Sequence, residues 1–161
     1  MRKEKRGLVP FLLISILFVI YIVLLFKLTI FRGSYPAVQN VNLIPFSTII
    51  EYILSVRAGN RVVGMINLLG NLIAFMPLGY LTASLLPGMR KTVRILITAA
   101  SLSVFIEASQ YVLSCGSADV DDVILNAAGG VFGYWIYAFM SYHFAKISKM
   151  VQPGKAVKLK A

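Results

Sequence analysis

Residues 8–26 read LVPFLLISILFVIYIVLLF, a run of about 19 residues without a charge, enough at ~1.5 Å per residue to cross a hydrocarbon core of ~30 Å. Arg2, Lys3, Lys5 and Arg6 precede it, as in a secretory leader. The run is long, however, and no small-x-small cleavage site comes before the next polar stretch, so it is expected to be retained as a first span. Three more apolar stretches follow, at residues 65–86, 93–113 and from 123 to about 139. They end respectively at Pro87-Gly88, at Ser114-Cys115-Gly116-Ser117 and at a basic tail over 145–161.

The composition agrees. Of 161 residues 58% are hydrophobic and 14% charged, far from the ~25% charged of a soluble domain. The expected fold is all-α: a single membrane domain over 1–161, a bundle of four transmembrane helices. The net charge of +10 does not indicate nucleic acid, because the basic residues cluster beside apolar runs, where they meet anionic headgroups and set topology. Cys115 is the one cysteine and His143 the one histidine, which excludes an intramolecular disulfide and a Cys/His zinc site.

Twelve of the sixteen Lys and Arg lie before the first span, at Arg90, Lys91 and Arg94, or after the fourth; four lie between Lys27 and Arg61, and none in 114–122. The positive-inside rule therefore predicts a multi-pass protein of the cell membrane with both termini cytoplasmic. The long first loop and the turn at Asp119–Asp122 then face outward. Within that loop, beyond a Tyr35-Pro36 turn, Ser47 is placed to cap a short helix bearing Ile49, Ile50, Ile53 and Leu54. It is too short to span, so an interfacial or re-entrant segment between the first and second spans is expected.

Polar residues within the spans fall into one layer. Asn67 and Asn71 lie one turn apart on the second, Glu107 and Gln110 at i, i+3 on the third with Ser103 a turn away, and Asp122 and Asn126 at i, i+4 on the fourth. Counted from the helix ends, Asn71, Glu107 and Asn126 sit ~6–9 Å below the outer surface. Asparagines at such positions often act as interhelical glue, worth ~0.6–2 kcal/mol. A carboxylate at that depth costs several kcal/mol unless partnered, protonated or hydrated, which marks Glu107 as a functional candidate. Asp119 and Asp122 open the fourth span, where carboxylates cap a helix; the alternative is a divalent-cation site on the two. Gly129 and Gly133 provide a small-residue face for close helix packing, and Gly70, Ala74 and the Pro77-Leu78-Gly79 break suggest the same on the second span. His143 lies at the opposite end from the polar layer, which excludes a Ser/His nucleophile pair.

Taken in order, Asn42-Leu43-Ile44-Pro45-Phe46, Asn67-x-x-x-Asn71-Leu72-Ile73-Ala74-Phe75-x-Pro77-x-Gly79, Glu107-x-x-Gln110 and Asp119-x-x-Asp122-Val123-Ile124-x-Asn126-x-x-Gly129-x-x-x-Gly133 resemble the VanZ-like membrane protein family over about residues 42–137. The resemblance implies a role in resistance to glycopeptide antibiotics, teicoplanin more than vancomycin, and supplies no mechanism. Two readings follow. In the first, a non-enzymatic envelope protein holds an amphiphile at the outer leaflet, a lipoglycopeptide antibiotic or a cell-wall lipid. Its pocket is formed by Asn42, Asn67, Asn71, Glu107, Gln110, Asp119, Asp122 and Asn126 and lidded by residues 42–46. In the second, an enzyme modifies a lipid headgroup or lipid-linked saccharide, with Glu107 as acid or base, Asp122 a further catalytic candidate, and Asp119 and Asp122 holding a divalent cation. No other cofactor is expected.

Overall fold

The computed structural model describes residues 2–30, 41–57 and 61–151. The Tyr35-Pro36 turn, residues 152–161 of the basic tail and the side chain of Asn67 lie outside the described residues.

Four long helices build the fold: α1 (Arg2–Ile30), α3 (Arg61–Leu85), α4 (Thr92–Val112) and α5 (Val120–Val151). The stretches Leu8–Ile30, Leu68–Leu85, Thr92–Val112 and Val120–Ile147 are each long and apolar enough to cross a membrane. Short connections between α3, α4 and α5 make neighbours antiparallel. The fourth helix differs from expectation: no breaker follows Phe139, so residues 145–151, expected in the tail, continue α5 as helix.

The outer face of α1 exposes Val9, Leu13, Val19 and Val23 at 57–60% of their surface. Water would penalise that face, whereas acyl chains solvate it, so the buried core can be small. It consists of Leu25, Phe75, Leu78, Ala99 and Ile106, with Tyr21, Phe26 and Leu102 packed against it. Tyr21 Oη donates to Ala74 O at 2.8 Å and pins α1 to α3 one turn before Pro77.

Glycine sets the closeness of α3 and α5. A Cβ on Gly133 would lie 1.8 Å from Met76 O, one on Gly129 2.1 Å from Leu72 O, and one on Gly79 1.8 Å from Gly130 O. The helices thus meet backbone to backbone, as the Gly129/Gly133 spacing predicts. Gly70 does not belong to this contact, since an added Cβ would meet nothing within 4 Å; it lies on the α1 side of α3, at a crevice.

One end of the bundle carries basic fastenings. Arg90 Nε donates to Ala83 O at 2.9 Å while the guanidinium lies 5.2 Å over the Tyr137 ring. The other end is acidic and more elaborate. There α2 (Ser47–Arg57) packs on α3 and α5, and a two-residue parallel bridge joins β1 (Val41–Asn42) to β2 (Ala118–Asp119), with Val41 opposite Ala118 and Asn42 opposite Asp119. This bridge, absent from the sequence reading, fixes the loop before α2 against the turn before α5.

Candidate functional site

At the acidic end the polar side chains form two adjoining constellations. The first is a fastening. Asp119 is the N-cap of α5: its Oδ1 accepts the Asp121 N–H at 2.9 Å. The same oxygen accepts Asn42 Nδ2 at 3.0 Å, and Oδ2 accepts the Thr48 hydroxyl at 2.6 Å. Asp121 is fully buried and reaches across to a different helix. Its carboxylate takes the N–H groups of Phe46 (2.6 Å), Thr48 (2.8 Å) and Ile49 (3.0 Å), so it caps α2. Phe46 has φ 67°, a conformation unusual for a residue with a Cβ, and the bond to Asp121 holds it there. Ser47, expected to cap α2, instead donates its hydroxyl to Ile44 O at 2.8 Å.

The second constellation is a cavity of about 160 Å³ lined by Asn71 of α3, Glu107 and Gln110 of α4, Asp122 and Asn126 of α5, Leu28 and Thr29 of α1, and Tyr52 of α2. Each polar group is placed by its helix. Asn71 Nδ2 donates to Asp122 Oδ1, tying α3 to α5. Glu107 Oε2 accepts the Asp119 N–H at 3.0 Å, and Gln110 Nε2 donates to Thr29 O at 2.9 Å. Asn126 Nδ2 donates to Ser103 Oγ at 2.8 Å, while its Oδ1, buried, has no partner among the described residues.

Five of the eight residues expected to form a pocket therefore line one cavity: Asn71, Glu107, Gln110, Asp122 and Asn126. Asn42 and Asp119 do not. They belong to the fastening, and the segment 42–46 lies on the Asp119–Asp121 turn; Tyr52 of α2 is the side chain that reaches the cavity from above. Of the two proposed cation ligands, Asp119 is bonded to Asn42 and Thr48 and Asp122 to Asn71. Among the described residues no group of three His, Cys, Asp or Glu is placed to hold a metal. The sequence reading missed Thr29, Tyr52 and Asp121. Thr29 and Tyr52 are single polar groups at helix positions that only the packing of α1 and α2 selects, and Asp121 was legible as a cap without its recipient.

Chemically the cavity is rich in acceptors, with two carboxylates among its lining groups. Among the described residues no Lys or Arg lines it. Asn71, Gln110 and Asn126 each give one amide N–H to a partner within the protein, Glu107 accepts the Asp119 N–H through Oε2, and Asp122 accepts Asn71 through Oδ1.

The class is thus a four-span helical membrane protein with a polar cavity set between its helices near one end. The VanZ/LLP1 family model matches residues 18–141, and the chain belongs to that family. The match takes in α1 from Phe18 onward, beyond the motif-bearing region 42–137. No curated protein and no solved structure matches the chain.

Proposed function

We propose that the protein works at the outer leaflet of the bacterial cell membrane, where it holds a lipid-like amphiphile and lowers the access of a teicoplanin-type glycopeptide to its target. One observation carries this reading: polar groups from α3, α4 and α5 converge on one cavity at the end of the bundle that the charge distribution assigns to the outside. At about 160 Å³ the cavity falls below the ~300 Å³ of the smaller drug-sized pockets. That volume is too small for a glycopeptide core and is on the scale of a small polar headgroup.

The test is susceptibility. Expressed in a glycopeptide-sensitive bacterium, the chain should raise the inhibitory concentration of teicoplanin more than that of vancomycin. Glu107→Gln and Asn71→Ala should each remove that rise at undiminished membrane abundance. Full protection by both variants would detach the cavity from function. The enzymatic reading draws on one further observation, that Glu107 and Asp122 line the same cavity; it requires a lipid species, visible by mass spectrometry of extracted membranes, that appears with the wild type and not with Glu107→Gln.

A further inference from the structure

The cavity does not end in protein. Leu28, Thr29, Asn71 and Ala74 line it and also line a crevice of about 360 Å³ between α1 and α3, completed by Leu25, Ile66 and Gly70. Farther along the same two helices a second apolar crevice of about 500 Å³ passes Leu24, Tyr21 and Leu17 on α1 and Pro77 and Leu81 on α3. The register is that of antiparallel neighbours, and the Tyr21–Ala74 hydrogen bond marks where the two crevices adjoin. A polar chamber therefore sits at the head of an apolar channel whose rim, at Leu28 and Ile66, is more than half exposed to the bilayer.

The head of this channel has a definite chemical preference. Glu107 and Asp122 place two carboxylates on its wall, with the bonds from Asp119 N–H and Asn71 Nδ2 falling on Oε2 and Oδ1. Asn126, 5% exposed and a lining residue, keeps Oδ1 unpartnered. A buried acceptor without a donor is destabilising, so the chamber favours whatever brings N–H groups. A phosphate or carboxylate would bring like charge against both acids. A quaternary ammonium would bring charge without donors. A primary ammonium brings three donors and a positive charge in a volume the chamber holds.

We propose that the chamber receives the primary ammonium headgroup of a membrane amphiphile whose acyl chain lies in the α1–α3 crevice. This rests on the amphiphile-binding reading and adds to it the headgroup chemistry and the path of the chain.

The experiment is native mass spectrometry of the full-length protein in a non-ionic detergent, titrated with phosphatidylethanolamine, phosphatidylcholine and phosphatidylglycerol of one acyl composition, with free ethanolamine as a soluble competitor. The ethanolamine lipid should bind about tenfold more tightly than the choline lipid, from charge-assisted hydrogen bonds that the methylated head cannot make. Glu107→Gln should reduce that preference, weakening the ethanolamine lipid more than the choline lipid. Gly70→Phe, which places a ring in the crevice and leaves the chamber intact, should weaken all three lipids together. Free ethanolamine should not displace the lipid, because it lacks the chain.

Equal binding of the ethanolamine and choline lipids, or preference for the glycerol lipid, overturns the ammonium assignment while amphiphile binding stands. Lipid binding unaffected by Gly70→Phe overturns the crevice. Displacement by free ethanolamine overturns the two-part site, and no binding of any lipid overturns the amphiphile reading itself.

Discussion

Glu107 Oε2 accepts the backbone N–H of Asp119 at 3.0 Å, so the acid that lines the cavity also supports the turn that caps α5. The two roles separate by substitution. Glu107→Gln keeps a carbonyl oxygen for the Asp119 N–H and removes the charge, so the protein should fold and lose the proposed protective effect. Glu107→Ala leaves that N–H without its partner and should also cost about 1–3 kcal/mol of stability. Thermal unfolding in detergent, followed beside teicoplanin susceptibility, distinguishes the two; a Gln variant as unstable as the Ala variant would make Glu107 a structural residue only.

Asp121 makes a sharper stability prediction. It is fully buried and accepts three backbone N–H groups from the start of α2, so Asp121→Ala orphans all three. Hydrogen bonds to a charged acceptor are worth about 1.5–3 kcal/mol each, not fully additive, so α2 should detach. Hydrogen exchange at Phe46, Thr48 and Ile49 should rise in this variant before exchange in α3 or α5 does. Asp121→Asn, with a single acceptor oxygen, should fall between. Protection of those amides unchanged in Asp121→Ala would contradict the capping role.

How far the sequence speaks is visible in the same acidic run. The four spans, the short helix after Ser47 and the common depth of Asn71, Glu107 and Asn126 follow from hydropathy and rise per residue, because lipid imposes length and periodicity on a helix. Which helix a carboxylate caps does not follow. Asp119, Asp121 and Asp122 share one short segment, yet one caps its own helix, one caps α2 and one faces the cavity, since consecutive residues at a helix start point about 100° apart. Asn42 shows the same limit: its place in a motif is legible, and the Val41–Asn42 bridge to Ala118–Asp119 that turns it toward Thr48 is not.

The glycines should divide cleanly. Gly133→Ala forces a Cβ to 1.8 Å from Met76 O, a backbone atom that cannot step aside, whereas an alanine at Gly70 meets nothing within 4 Å. Gly133→Ala should therefore lower the unfolding temperature and the yield of monodisperse protein in detergent, by the 1–3 kcal/mol typical of overpacking or more. Gly70→Ala should leave both within experimental scatter. Similar losses at the two positions would refute the backbone contact between α3 and α5.

Orientation is tested at Cys115, in the turn between α4 and α5, part-exposed, with its Sγ 3.6 Å from Gln110 O. The stretch 114–122 has no Lys or Arg, while Arg90, Lys91 and Arg94 crowd the opposite connection. An excess of basic residues holds a loop on the cytoplasmic side, so the Cys115 turn should face outward. A membrane-impermeant maleimide added to intact cells should then label the wild type and not Cys115→Ser. The weak sulfur contact with Gln110 O could slow the reaction, so an epitope inserted after Gly116 serves as the second measurement. A Cβ at Gly116 would already touch the Gln110 side chain at 3.2 Å, which places the insertion point after Gly116 and leaves the glycine itself in place. Labelling and antibody access that appear only after the membrane is permeabilised would put the acidic end inside, and with it the cavity, away from any drug acting at the outer leaflet.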